Sequence, residues 1–203
     1  MIQHLKQGLI LSMVFVFLLA SQGFSQNMEH MDFQEMHPDR DRAVVLKGGI
    51  SGFQQVPSFS SPGKGRFKAK INRERTEVKY KLSYADMEGD VFMAHIHFGQ
   101  AGVNGGIMVW FCGDPNAGFP PPDAIRVPLC GPKEDMLEGT FTVDELLGPG
   151  DQGIEPGAFE EFLAALENGV TYVNIHSTLK PPGEIRGQIR RSRWGKHHPM
   201  PGH

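Results

Sequence analysis

Three histidines stand in settings that suit metal ligation. In Met93-Ala94-His95-Ile96-His97-Phe98, apolar and polar residues alternate. In an extended strand Ala94, Ile96 and Phe98 therefore face one side, while His95 and His97 face the other. Tyr172-Val173-Asn174-Ile175-His176 repeats the pattern, with Val173 and Ile175 on an apolar face and Asn174 and His176 on a polar one. Imidazole ligates copper and zinc, and three imidazoles from neighbouring strands make a nitrogen site. The simpler alternative is three polar-face histidines hydrogen-bonded to adjacent loops. The metal reading demands that the two strands be neighbours and that the rings of His95, His97 and His176 converge.

A cation belongs to the same pattern. If His176 faces Glu184 across the turn Thr178-Leu179-Lys180-Pro181-Pro182, then Arg186 lies opposite Asn174 on the histidine face. A guanidinium there steers small anions toward the site. The alternative for Arg186 is an exposed ion pair with Glu184 or a neighbour. Glu184 is also a candidate acceptor for an imidazole N–H behind the ligands. The remaining carboxylates form no paired acid–base arrangement, and the sequence has no Walker loop, dinucleotide fingerprint or G-x-S-x-G elbow. Gly102-Val103-Asn104-Gly105-Gly106 has phosphate-loop composition but leads into a strand, so it reads as a turn.

The elements that position these groups are short. Segments rich in β-branched and aromatic residues, punctuated by Gly and Pro, predict strands near 43–50, 66–71, 77–84, 91–98, 107–111, 124–129, 138–143, 170–176 and 184–190. Val78, Tyr80, Leu82 and Tyr84 alternate with Lys79, Lys81 and Ser83, the mark of a strand with one buried face. Phe159, Phe162, Leu163 and Leu166 fall at helical spacing between Pro156-Gly157 and Asn168-Gly169, which predicts one short helix capping the end of an all-β sandwich or barrel. Cys112 and Cys130 are the two cysteines. In an oxidising compartment they are expected to be bridged, with loop closure worth about 3 kcal/mol; a free dithiol for a soft metal is the alternative.

The ends predict an exported chain. Lys6 followed by the apolar run Leu9 to Ala20 and the small residues near Ser25 reads as a signal peptide over 1–25, with no membrane association after cleavage and a secreted or periplasmic location. Residues 26–42 form a Met- and His-rich arm, residues 43–191 the domain, and residues 192–203 a His-rich tail. The arm and tail lack periodicity and read as disordered; their thioethers and imidazoles suit copper capture. A net charge of −3 with scattered basic residues argues against nucleic acid as a partner. The sequence names no protein partner.

Two family resemblances add to this. Ala94-His95-Ile96-His97-Phe98-Gly99-Gln100-Ala101-Gly102, Gly105-Gly106-Ile107-Met108-Val109, Phe162 to Gly169, Tyr172 to Ser177 and Gly183 to Ile189 together resemble the chordin (CHRD) domain family over roughly residues 43–191. That resemblance implies a secreted β-sandwich and says little about chemistry. A weaker one is to copper-zinc superoxide dismutases, Greek-key β-sandwiches in which an H-x-H strand and a later strand histidine bind copper. His95 and His97 look like the strand pair and His176 like the later ligand. No histidine falls between residues 98 and 175, where those enzymes carry the bridging histidine and the other zinc ligands. The resemblance therefore implies a copper-only site, completed by water or by a tail residue such as His30, His37, His197, His198 or His203. It also implies Arg186 as the catalytic group that attracts the anion.

The expectation is a Greek-key-like β-sandwich with one short capping helix and a copper site of three histidines. Superoxide dismutation fits it, because copper cycles between oxidation states and zinc does not. A non-catalytic extracellular binding module and a periplasmic copper carrier are the competing functions.

Overall fold

Among the described residues the chain forms nine strands and one α-helix. The computed structural model describes residues 43–123 and 125–192, all within one compact unit, Arg42–His203. The segments expected to be a signal peptide, a Met- and His-rich arm and, but for its first residue, a His-rich tail lie outside the described residues. The strands are β1 (Val44–Ser51), β2 (Lys64–Ile71), β3 (Val78–Ala85), β4 (Val91–Phe98), β5 (Ile107–Gly113), β6 (Asp135–Phe141), β7 (Thr171–Ser177), β8 (Ile185–Gln188) and β9 (Arg190–Arg191). Helix α1 (Phe159–Glu167) lies between β6 and β7.

All pairings are antiparallel, and the sheet order is β5-β4-β7-β8-β1-β2-β3-β6, with β9 beside β1. In β3 the expected division holds: Val78, Leu82 and Tyr84 are buried and Lys79 and Lys81 are exposed. The sheet rolls onto itself so that its two ends share one core. Phe111 on β5 meets Tyr80 on β3 and Phe141 on β6, with ring centroids 4.9 and 5.4 Å apart. The result is an all-β, sandwich-like to barrel-like fold. Helix α1 turns Phe162, Leu163 and Leu166 inward, and Phe162 packs edge-on against Phe141. Gly169 follows the helix with φ of 70°, a left-handed conformation that glycine adopts without Cβ strain.

One expected strand is absent. Residues 125–129 are not extended into a strand, and Leu129 is 66 % exposed. Pro128 has no N–H to give a ladder and only its carbonyl is engaged, by the Gly113 N–H. The segment is tied down by the Cys112–Cys130 disulfide, with Cα atoms 5.2 Å apart, as the cysteine pair predicts. The strand expected at 138–143 starts earlier, at Asp135.

The strands at the centre of the histidine half differ from β3 in being covered on both sides. Every residue of β7 and β8 is buried. One face joins the apolar core through Val173, Ile175 and Ile185, and the other is a polar layer roofed by loops.

Candidate metal centre

Strand register brings the three histidines together. β4 and β7 are hydrogen-bonded neighbours, with Met93 opposite His176, His95 opposite Asn174 and His97 opposite Tyr172. His95 and His97 share a face by alternation, and His176 joins them from the next strand. One ring nitrogen from each of His95, His97 and His176 lies within 4.8 Å of the others. The convergence demanded by the sequence is therefore met.

The hydrogen bonds define which nitrogen is free. Nδ1 of His97 lies 2.9 Å from the Gly105 carbonyl, and Nδ1 of His176 lies 2.8 Å from the Pro181 carbonyl. A carbonyl oxygen only accepts, so both Nδ1 atoms carry the proton and both Nε2 atoms carry a lone pair. Six buried side-chain polar atoms among the described residues lack a hydrogen-bond partner. Four of them are ring nitrogens of this cluster: Nε2 of His97, Nε2 of His176 and both nitrogens of His95. Each such atom costs about 1–3 kcal/mol when nothing satisfies it. Their concentration at one point offers nitrogen donors that a transition-metal ion could share.

Protonation does not resolve the deficit. Burial pushes the His95 imidazole well below its ordinary range, helped by His176 and His97. Burial likewise lowers His97 and His176 to about 4, against the opposing pull of the Gly105 and Pro181 carbonyls. All three rings are neutral at neutral pH, the form that binds metal. Three neutral imidazoles with orphaned nitrogens fit a transition-metal ion such as copper or zinc.

Aromatic rings wall the cluster. Trp110 meets His95 edge-on with centroids 3.9 Å apart, and Phe119 from the loop after β5 stacks on Trp110. Tyr172 stacks on His97 at 4.9 Å, and its hydroxyl accepts the Gly105 N–H at 3.1 Å. Sequence reasoning passed over Trp110 and Tyr172, although Tyr172 has the parity of Asn174 and His176. Gly105 has to be glycine: a Cβ there would lie 1.6 Å from the Phe98 carbonyl oxygen. The glycine-rich turn read between residues 102 and 106 thus serves to aim a carbonyl at His97.

Arg186 lies opposite Asn174, as the turn predicts. It makes no ion pair with Glu184. Its guanidinium sits 3.4 Å over the centroid of the Tyr172 ring and donates to the Gln100 carbonyl, the Val103 carbonyl and Asn104 Oδ1. The expected role of Glu184 behind an imidazole does not hold. Its carboxylate accepts from Ser61 Oγ, Ser177 Oγ and the N–H groups of Glu88 and Gly89. Burial alone would raise this carboxyl, but those four donors outweigh it and hold it below the ordinary value. Two loops and the end of β7 needed an acceptor at that point, and the rings of His97 and His176 had already found theirs in backbone carbonyls.

No helix among the described residues is long and apolar enough to cross a membrane. None of the curated proteins and none of the solved structures matches the chain. The sequence model of the CHRD domain matches residues 48–189, a span that runs from β1 through β8 and contains all three histidines. With that span covered, the chain belongs to the CHRD domain family.

Proposed function

We propose that this CHRD-domain protein is an exported binding module that holds one copper ion through His95, His97 and His176. The observation that carries the reading is the convergence of three buried imidazoles whose outward nitrogens have no hydrogen-bond partner among the described residues. Copper outranks zinc and the other divalent first-row metals in affinity for nitrogen sites. The disulfide supports an oxidising compartment outside the cytoplasm. In this reading the Gly105 and Pro181 carbonyls orient two of the ligands, and Trp110 and Tyr172 exclude water from the ion. Bound copper would supply a centre able to change oxidation state.

Superoxide dismutation is the second reading, and Arg186 favours it. The fixed cation shares the polar layer with the ligands and depresses His97 electrostatically, so it would attract a small anion if the ion had an open position. The burial of the ligand nitrogens favours retention over turnover, and so the binding module stands first. The test loads the protein with copper, measures stoichiometry by elemental analysis and assays superoxide removal beside a His97→Ala variant. One copper per chain, lost in the variant, is expected. Unchanged copper content in the variant would refute the site, and copper binding without superoxide removal would refute the dismutase reading alone.

A further inference from the structure

The three imidazoles leave room for a fourth donor, and one buried side chain on the same face has no place in the apolar core. We infer that the thioether of Met93 is a fourth ligand and that the site is built to hold copper as Cu(I); this rests on the copper reading above. Met93 stands two residues before His95 on β4 and directly opposite His176 in the β4–β7 register. Side chains so placed have Cβ atoms about 4.5–5.5 Å apart, and the flexible arm of methionine spans the remainder.

A bulge accounts for its facing. Val91 pairs with Ser177 and Met93 with His176, so Phe92 is an extra residue on β4. Strict alternation would put Val91 and Met93 on one face. The extra residue instead lets Val91 join the apolar cluster, along with Ala94 and Ile96, while Met93 keeps the parity of His95 and His97. Met93 is buried, yet the apolar cluster does not include it. On its other side it pairs with Gly113, where Pro121 and Trp110 fill the space a side chain would take.

Charge and softness then select the oxidation state. Three neutral imidazoles and a thioether bring no negative charge to the ion, and the Arg186 guanidinium adds positive charge nearby. The cost of burying an ion grows with the square of its charge, so Cu(I) enters such a site at far lower cost than Cu(II). Thioether sulfur is a soft ligand with the same preference.

The experiment loads the full chain anaerobically with Cu(I) in the presence of ascorbate and records copper-edge X-ray absorption for the wild type, Met93→Leu and Met136→Leu. Met136 is 63 % exposed on β6 and serves as the control. One sulfur scatterer is expected in the wild type and in Met136→Leu and none in Met93→Leu. Cu(I) affinity, measured by chelator competition, is expected to fall about tenfold in Met93→Leu while Cu(II) affinity changes little. Met93→Ile replaces the leucine variant should that fold poorly. Copper retained by the wild type with nitrogen scatterers alone overturns the Met93 assignment and leaves the three-histidine site standing. Sulfur that persists in Met93→Leu overturns it too, since the sulfur would come from elsewhere in the chain. A wild-type chain that retains no copper overturns both readings.

Discussion

Replacing Arg186 with methionine separates two roles for this cation. The side chain is 1 % exposed, and its guanidinium holds three acceptors of the loop between β4 and β5 while stacking on Tyr172. Hydrogen bonds from a charged donor are worth about 1.5–3 kcal/mol each and the cation–π contact about 1–2 kcal/mol. Against their loss stands the recovered cost of burying a charge that forms no ion pair among the described residues, several kcal/mol by itself. The net destabilisation is about 3 kcal/mol, or roughly 8 °C in Tm for a domain of this size.

The loop also presents the Gly105 carbonyl that orients His97. Arg186→Met is therefore expected to weaken copper binding along with stability, although the guanidinium touches no ligand ring. Thermal unfolding of the apo-protein and copper titration read the two effects. Arg186→Lys sharpens the test: it keeps the charge but cannot fork to three acceptors. If Arg186 positions the loop, lysine loses most of what methionine loses. If Arg186 acts only by attracting anions, both variants bind copper as the wild type does, and any superoxide removal survives in the lysine variant. Wild-type Tm and copper affinity in Arg186→Met would refute the positioning argument.

Other expectations follow from the same layer. Because burial lowers His97 and His176 to about 4 from 6.5, the unfolded chain binds protons between those pH values that the folded apo-protein refuses. Stability of the apo-protein is thus full above pH 6.5 and falls as pH drops toward 4, by about 3 kcal/mol for each ring; urea unfolding at pH 7 and pH 4 measures it, and equal midpoints would contradict the burial argument. Removing the disulfide by Cys112→Ser with Cys130→Ser is expected to cost about 3 kcal/mol, read by denaturant unfolding. Glu184→Leu strands the N–H groups of Glu88 and Gly89 and the hydroxyls of Ser61 and Ser177, so a loss of about 4 kcal/mol is expected. A Glu184→Leu protein as stable as the wild type would show that this hub is dispensable.

The parts of this structure legible in the sequence are those governed by local rules. Alternation by itself put Ala94 and Ile96 in the core and His95 and His97 opposite, because a strand's period of two needs no knowledge of its neighbours. The turn between β7 and β8 correctly paired Asn174 with Arg186, since a hairpin's register follows from its loop. The failures are equally physical. Ile125, Val127 and Leu129 alternate like a strand, but Pro128 deprives the segment of a donor and the disulfide holds it in place without a ladder. Glu184 was on the right face for a histidine partner. Ser61 and residues 88–89, far away in sequence, claimed it first.

What local rules cannot foresee is that the polar face of β7 is buried. Its roof comes largely from distant segments: Gln55 donates to Asn174, and Arg186 and Gln188 grip the loop after β4, while the turn that follows β7 supplies Pro181 to His176. Asparagine, arginine and the amide nitrogen of Gln188 each find carbonyl partners in that roof. The imidazoles use the same device at Nδ1 only. A layer assembled merely to close the barrel could satisfy Nε2 equally well with another amide or hydroxyl, and several lie in the same loops. Leaving those nitrogens bare, neutral and aimed at one another is a standing cost to the apo-protein. Binding an ion at that point removes the cost and adds the ligand field, but both are already contained in the affinity, and the gain in stability is RT ln(1 + [L]/Kd) as at any site of equal Kd. The deficit must therefore show in the apo-protein instead, as stability recovered when His95, whose two ring nitrogens both lack partners, is replaced by leucine. Unfolding of apo His95→Leu at higher denaturant than the apo wild type is the expected outcome, and a lower midpoint would mean that the bare nitrogens cost the fold nothing.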